Sequence, residues 1–239
     1  MDIYLRDNTK KIGLSLTEQQ LEMFRLYYEN LTEWNKVMNL TAITEEKDVY
    51  EKHFMDSLMI FRILPPAQWE TGLTLIDVGT GAGFPGLPIA ICMPQIQVTL
   101  MDSLQKRVRF LEDTIGKLGL ENVTAVHARA EELARKDGYR DHYDLSVSRA
   151  VANLSTLSEY CLPFVKPGGQ FCSYKTDSVS EELEKGRKAI RTLGGGEPKV
   201  DYYTLPGTDY HRSLVLVPKT GATPRKYPRK AGLPAKEPL

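Results

Sequence analysis

The sequence predicts an α/β domain built on a mostly parallel sheet, with a small helical region in front of it. From about residue 73, short apolar strand-like runs alternate with helix-like runs, a pattern typical of parallel strands joined by right-handed crossovers. Residues 198–205 and 213–217 then form two strand-like runs separated only by a turn, which predicts an antiparallel hairpin at the end of the sheet. The region before the first strand has helical periodicity instead.

We divide the chain into a helical extension, the α/β domain and a basic tail, at residues 1–66, 67–218 and 219–239. In the extension, Thr17 and Gln20 predict a capping box at the start of a helix that runs to about residue 39. A second helix is expected over about residues 44–64, and it ends at a pair of prolines.

Composition excludes several classes of protein. The 239 residues carry 31 basic and 31 acidic side chains, so no overall field attracts a polyanion and any such signal must be local. Cys92, Cys161 and Cys172 lie far apart in apolar surroundings, which predicts free core thiols in a reducing compartment. The polar N-terminus is unlike a signal peptide, and no apolar run approaches the roughly 20 residues of a membrane span. We therefore expect a cytoplasmic protein without membrane or metal partners.

The first strand leads into a glycine-rich turn. An apolar run from Leu73 is followed by alternating glycines at 79, 81 and 83, and then by a helix-like run. Glycine accepts backbone angles closed to other residues and lets a ligand lie against the main chain, while the helix start offers unpaired N–H groups. A nucleotide-like cofactor is expected at this turn, although a purely structural turn remains an alternative. The candidate cofactor-binding residues of the turn are Asp77, Gly79, Thr80, Gly81, Gly83 and Phe84.

The glycines alone do not identify the cofactor. The pattern from Gly81 to Gly86 also matches the GxGxxG fingerprint, and Asp102 follows where an NAD-binding acid would stand. Asp77, however, is a charge that is costly to bury unless a cationic ligand group or a set of turn amides partners it. Pro85 removes an N–H donor that a pyrophosphate would use. Together with the terminal hairpin, these features favour S-adenosylmethionine and a Rossmann-like, class I S-adenosylmethionine-dependent methyltransferase fold.

Further polar residues follow the next predicted strands. Because the carboxyl ends of parallel strands meet at one edge of a sheet, we expect these residues near the glycine turn. Asp102 either binds a ribose diol or caps the next helix, and Glu131 is a ligand or an ordinary first-turn acid. Arg149 pairs with Asp77, a cofactor carboxylate or a phosphate, or is a salt-bridged core arginine. The candidate cofactor-binding residues after these strands are Asp102, Ser103, Ala130, Glu131 and Arg149.

The tail is locally basic. Residues 219–239 hold six lysine or arginine residues and a single acid, Glu237. Four prolines favour an extended chain over a helix. An extended basic arm with Tyr227 embedded in it suits phosphate contacts and base stacking, and a solvated tail is the alternative.

Several motifs, taken together, resemble the ribosomal RNA small subunit methyltransferase G family (glucose-inhibited division protein B) nearly end to end. The segments at residues 39–43, 53–58 and 227–239 are specific to that family, whereas the glycine turn is shared among methyltransferases. The remaining matching segments are residues 77–86, 102–107, 129–131 and 148–152.

The resemblance implies methyl transfer from S-adenosylmethionine to N7 of one guanine of 16S ribosomal RNA, in free RNA or in the small ribosomal subunit. It also implies cofactor contacts at Gly79, Phe84, Ala130, Glu131 and Arg149. One departure is the segment Tyr174-Lys175-Thr176, where family members often carry Lys-Gly after the fifth strand. A role for Lys175 stays open there.

Guanine N7 carries a lone pair and no proton, so we expect positioning rather than a general base to dominate. We expect Arg149 to anchor cofactor and target, and Asn39, His53 and Asp56 to contact the guanine or simply pack the helices. The enzyme is expected to be a monomer. The candidate RNA-binding residues are Lys175, Arg212, Arg225, Lys226, Tyr227, Arg229 and Lys230. The alternatives are a methyltransferase for another substrate, a non-catalytic RNA-binding protein and an NAD-dependent oxidoreductase.

Overall fold

The fold is a seven-stranded sheet covered by helices on both faces, described here from a computed structural model over residues 1–149 and 152–239. The strands are β1 Thr74–Val78, β2 Gln97–Asp102, β3 Val123–His127, β4 Tyr143–Arg149, β5 Val165–Thr176, β6 Lys199–Thr204 and β7 His211–Pro218. Their order in the sheet is β3-β2-β1-β4-β5-β7-β6, and among these strands β7 alone runs in the opposite direction to the others. The predicted parallel sheet and terminal hairpin are confirmed.

The helical extension contains three helices rather than the two predicted. The first, α1 (Asp2–Lys10), was not expected. The second, α2 (Glu18–Met38), begins as predicted: Thr17 Oγ1 accepts the N–H of Gln20 at 3.2 Å, and Gln20 Oε1 accepts the N–H of Thr17 at 2.9 Å. The third, α3, consists of consecutive segments Glu46–Val49, Tyr50–Met55, Asp56–Leu58 and Met59–Arg62, the second of which has the wider π-helical turn.

The remaining helices alternate with the strands. They are α4 Gly86–Cys92, α5 Gln105–Leu118, α6 Ala130–Leu133, α7 Leu154–Cys161, α8 Ser180–Thr192 and, near the C-terminus, α9 Leu233–Lys236. Side chains of the extension, α4 and α5 form one buried cluster with strand residues such as Leu75 and Leu100. Side chains of α6, α7 and α8 form a second cluster with residues such as Ile76 and Phe171. The extension thus shares its core with the sheet.

The C-terminal segment is packed against the protein, whereas the sequence predicted a free, extended basic arm. We call residues 219–239 the C-terminal strap. Arg229 makes a bidentate ion pair with Glu159 of α7, with Nη2 2.7 Å from Oε2, and Glu159 is only 1% exposed. Tyr227 is buried in the core cluster of α7 and α8. A buried carboxylate needs a partner, and this one holds the strap in place.

Both ends of the strap are also fixed. At its start, the buried ammonium of Lys219 donates to the carbonyl of Leu162 at 2.5 Å and to Thr223 Oγ1 at 2.6 Å. Near its end, the hydroxyl of Thr156 donates to the carbonyl of Pro234 at 3.0 Å. The strap therefore packs across the helices α6, α7 and α8 that cover one face of the sheet.

Three buried cysteines are present as free thiols, as predicted. Among the helices of the described residues, none has the length and apolar character needed to cross a membrane.

Candidate active site

The glycine turn is held by the carboxylate of Asp77 at the end of β1. Asp77 Oδ2 accepts the hydroxyl of Thr80 at 2.6 Å and the N–H of Gly86 at 2.8 Å. These bonds connect the strand to both the turn and the first residue of α4. Where the sequence predicted a cationic ligand group or a set of turn amides, Asp77 accepts one hydroxyl of the turn and one amide at the start of α4. The side chain is fully buried and Oδ1 has no partner among the described residues. This burial raises the pKa of Asp77 to about 7.

The glycines of the turn serve two purposes. Gly79, Gly81 and Gly83 have φ of +74°, +62° and +96°. A Cβ on Gly83 would lie 2.5 Å from atoms of Leu87 and Tyr27, so this glycine is required by packing. A Cβ on Gly81 would meet nothing within 4 Å. The main chain at Gly81 is thus open at the sheet edge, which fits a nucleoside lying against it.

Asp102 closes the turn from the neighbouring strand β2. Its Oδ2 accepts the N–H of Gly81 at 3.0 Å and lies 3.3 Å from Nη1 of Arg107. Its Oδ1 accepts the N–H of Leu104 at 2.9 Å, just before α5. Ser103 is exposed beside it. Asp102 therefore supports the open part of the turn as well as the start of the following chain segment.

The C-terminal strap reaches the same sheet edge. Ala130 and Glu131 begin α6, and both are buried. Glu131 Oε1 accepts the N–H of Gly232 at 2.8 Å. Glu131, a predicted cofactor-binding residue, is thus held in place by Gly232, which lies 101 positions away in the chain.

Arg149 joins three parts of the molecule. Its Nη1 donates to Asp56 Oδ2 at 3.0 Å and to the carbonyl of Lys52 at 3.2 Å, and its Nη2 lies 3.1 Å from His53 Nδ1. The guanidinium carbon lies 5.1 Å from the ring centroid of Phe84. Among the partners considered from the sequence, Arg149 thus forms a salt bridge, but with Asp56 of the extension rather than with Asp77.

The imidazole of His53 is held in its neutral form, with one ring nitrogen accepting and the other donating a hydrogen bond. Its Nδ1 faces the N–H of Arg149 and must accept, so Nε2 carries the proton and donates to Thr41 Oγ1 at 2.9 Å. Its ring stacks on Phe84 with centroids 4.5 Å apart. Burial, followed by the charge of Arg149, lowers the pKa of His53 to about 3.

We call Arg149, His53 and Asp56 the Arg149 cluster, and its other contacts were not predicted from the sequence. Asp56 Oδ1 accepts the hydroxyl of Tyr203, from β6, at 2.8 Å, and the hydroxyl of Tyr174 donates to the carbonyl of Ser57 at 2.6 Å. The hydroxyl of Tyr27 donates to the carbonyl of Ala82 in the glycine turn. No local pattern marks these tyrosines, because each contact joins distant parts of the chain.

Asn39 lies outside the Arg149 cluster. It is exposed, has φ of +45° and ends α2 in the left-handed conformation. The following loop is held by Asn35, whose Oδ1 accepts the N–H of Thr41 at 3.0 Å. Asn39 thereby directs the loop that brings Thr41 to His53.

The predicted RNA-binding residues fall into two groups. Arg225, Lys226 and Lys230 are exposed on the strap, and Arg212 is partly exposed at the start of β7. Lys175 instead donates to Glu182 Oε1 at 2.6 Å and to the carbonyl of Ala152 at 2.7 Å. Tyr227 and Arg229 hold the strap, so the predicted base stacking by Tyr227 is not compatible with its burial.

Residues 1–149 and 152–239 contain no group of three or more His, Cys, Asp or Glu side chains arranged to hold a metal ion.

The fold is that of known methyltransferases. A SAM-dependent O-methyltransferase from Thermotoga maritima matches with a TM-score of 0.53 at 18% identity, over 81% of this chain and 72% of that one. TYW2 of M. jannaschii, solved in complex with AdoMet, matches with a TM-score of 0.53 at 14% identity, over 74% and 77%. With the glycine turn at the end of β1, this architecture is the class I S-adenosylmethionine-dependent methyltransferase fold.

Sequence comparison identifies the family. Residues 20–206 match the family model for rRNA small subunit methyltransferase G (GidB). Ribosomal RNA small subunit methyltransferase G of Desulforamulus reducens is 50% identical over 240 residues, covering 100% of this chain and 98% of that protein. The protein of that name from Lachnoclostridium phytofermentans is 48% identical over 241 residues, covering 98% of each. The chain belongs to the rRNA small subunit methyltransferase G family, and the NAD-dependent alternative is wrong.

We predict that Gly81→Ala lowers the affinity for S-adenosylhomocysteine at least tenfold, about 1.4 kcal/mol, because the new methyl group enters the open space of the turn. Gly119→Ala is the matched control, since Gly119 has the same φ of +62° and a Cβ there also meets nothing within 4 Å. Both variants carry a backbone cost of about 1–2 kcal/mol. Calorimetric titration measures the difference, and equal affinities in the two variants would contradict the placement of the cofactor.

We predict that His53 makes the protein acid-sensitive. The folded-state pKa of about 3 lies below the ordinary value of 6.5, so as pH falls through this window only the unfolded chain gains the proton. The stability contributed by neutral His53 is complete above pH 6.5 and is lost toward pH 3. Between about pH 6.5 and 5.5, the free energy of unfolding should fall by about 1 kcal/mol more in the wild type than in His53→Gln.

Urea unfolding at several pH values measures this difference. Above about pH 7.5 the difference between the two proteins should be constant, which is the internal control. Parallel pH profiles throughout would show that His53 is not held neutral.

Proposed function

We propose that this enzyme transfers a methyl group from S-adenosylmethionine to N7 of one guanine in 16S ribosomal RNA. The observation that carries the proposal is the match of nearly the whole chain to ribosomal RNA small subunit methyltransferase G proteins. The geometry supports it, because the open glycine turn and the Arg149 cluster lie at one edge of the sheet. We further propose that the enzyme acts as a monomer on small-subunit RNA.

The cofactor site follows from the turn. When bound, S-adenosylmethionine supplies a methyl group activated by a sulfonium. The main chain at Gly79 and Gly81 would lie against the nucleoside, and the carboxylates of Asp77 and Asp102 hold that main chain in place. The full proposed set is Asp77, Gly79, Thr80, Gly81, Gly83, Phe84, Asp102, Ser103, Ala130, Glu131 and Arg149.

The target site is proposed around Arg149, with Asn39, His53 and Asp56. Guanine N7 needs no deprotonation, and the neutral His53 is already engaged by Arg149 and Thr41. These residues would therefore orient the base and exclude water rather than move a proton. Asp56 keeps the guanidinium of Arg149 in one position, and the exposed Asn39 directs the loop that carries Thr41 to His53.

RNA phosphates are proposed to contact the exposed cations at this edge and on the strap. Such contacts position an RNA without reading its sequence. Lys175 would contribute only by exchanging its bond to Glu182 for a phosphate. The proposed residues are Lys175, Arg212, Arg225, Lys226 and Lys230.

The proposal is tested with methyl-labelled S-adenosylmethionine and small-subunit ribosomal RNA from cells that lack this gene. We expect label in the RNA, and chemical cleavage specific for N7-methylguanine should locate it at a single position. Arg149→Gln should lower kcat/KM at least tenfold, because a guanidinium that contacts the reacting groups is lost. Arg191→Gln, which removes an exposed arginine in the last turn of α8, is the matched control.

Label at any other atom, or transfer by Arg149→Gln at the wild-type rate, would contradict the proposal.

A further inference from the structure

The β6–β7 hairpin places a second surface at the same edge as the Arg149 cluster, and of its residues only Arg212 has so far been given a role. Because β6 runs parallel to β4 and β5, its carboxyl end at Thr204 lies on the cofactor side of the sheet. Arg212, at the start of β7, pairs with Thr176 at the end of β5. Neighbouring strands lie about 4.8 Å apart, so β7 is only about 10 Å from β4, which carries Arg149.

This surface combines exposed aromatic rings with cations. Tyr202 is 50% exposed and Tyr210 is 41% exposed. The ammonium of Lys52 lies 4.6 Å from the ring centroid of Tyr210, and the guanidinium carbon of Arg212 lies 5.6 Å from it. A groove of about 430 Å³ runs between Tyr202, Arg212 and Arg62. We call this the hairpin surface.

The cations of the hairpin surface differ in whether a carboxylate already pairs with them. Arg62 is paired with Asp201 at 3.0 Å, and Lys52 is paired with Asp48 at 2.9 Å. Arg212 lines the groove together with Asp177, but within the described residues it forms no ion pair and its guanidinium donates only to the carbonyl of His211. Among the described residues, Arg212 is therefore the cation of this groove that no carboxylate pairs with, and its guanidinium has donors for a phosphate.

The hairpin surface is also continuous with the proposed target site. Tyr203 lines the groove together with Tyr202, and its hydroxyl donates to Asp56, the carboxylate that also binds Arg149. A ligand lying along the hairpin would therefore end beside Arg149. Among residues 1–149 and 152–239, the most exposed aliphatic side chains are Ile3 and Val37, which lie on other elements, so this surface is not a hydrophobic protein-binding patch.

We propose that the hairpin surface binds single-stranded RNA next to the target guanine. Tyr202 and Tyr210 stack on flanking bases, and Arg212 contacts one phosphate. Base stacking on exposed aromatic rings combined with a cation on the backbone is how proteins hold single strands. This inference rests on the proposed function, because it concerns the RNA that this active site receives.

The test uses the full chain and a fluorescein-labelled single-stranded RNA of about twelve nucleotides, with binding measured by anisotropy over a range of salt concentrations. Tyr202→Leu and Tyr210→Leu should each raise the Kd about fivefold or more through loss of stacking. Tyr202→Phe keeps the ring and loses only the bond to Ser180, so it should bind as the wild type does.

Arg212→Gln should make the negative slope of log K against log salt shallower by about 0.7, the contribution of one phosphate contact on a single strand. Arg191→Gln removes an equal charge at the opposite edge of the sheet and should leave the slope unchanged. A wild-type Kd for S-adenosylhomocysteine shows that a variant is folded. If a leucine variant is not folded, the salt dependence of Arg212→Gln alone tests the proposal.

The proposal is overturned if the leucine variants keep the wild-type Kd, if Tyr202→Phe binds as weakly as Tyr202→Leu, or if Arg212→Gln keeps the wild-type slope. Methyl transfer to ribosomal RNA by the wild type, measured with the same preparations, distinguishes failure of the hairpin-surface proposal from failure of the proposed function. Transfer with unaltered RNA binding by the variants overturns the hairpin surface alone, whereas absence of wild-type transfer overturns the proposed function and this inference with it.

Discussion

The buried carboxylate of Asp77 is the interaction on which the rest of the site depends. One of its oxygens binds both the hydroxyl of Thr80 and the N–H of Gly86, so the strand, the turn and the first residue of α4 are held at one point. A Cβ on Gly86 would lie 2.9 Å from Asp77, so the close approach of α4 requires glycine there. The turn is consequently rigid on its buried side and open at Gly81. A buried charge is costly, and here it is offset by hydrogen bonds that give the site its shape.

The helical extension is part of the candidate active site and not a separate appendage. Arg149 at the end of β4 and Asp56 on α3 are both largely buried, and removing one partner of such a pair typically costs about 3–5 kcal/mol. The ring of Phe84 stacks on the ring of His53 and also contacts the guanidinium of Arg149. The extension therefore fixes the orientation of the only arginine that the parallel strands of the described residues present at their carboxyl ends.

Local patterns predicted much of this fold, and distant contacts explain what they did not predict. Period-two and helical runs located the strands and α2, because each pattern arises within a few residues. The link from Tyr203 to Asp56 spans 147 positions, and the one from Arg229 to Glu159 spans 70, so neither leaves a local signal. For the same reason the basic tail was predicted as a free arm: its prolines and charges are visible in the sequence, but the buried carboxylate that receives it is not.

In the proposed complex, a sulfonium nucleoside lies against the open main chain of the turn at Gly79–Gly83 while Arg149 stays paired with Asp56 beside it. A crystal structure of the chain with S-adenosylhomocysteine would show both features at once. We expect the nucleoside within hydrogen-bonding distance of this turn and of Asp102, with the ion pair between Arg149 and Asp56 intact. Ligand density at any other place on the molecule, or a turn rebuilt so that Asp77 no longer holds Gly86, would contradict the account.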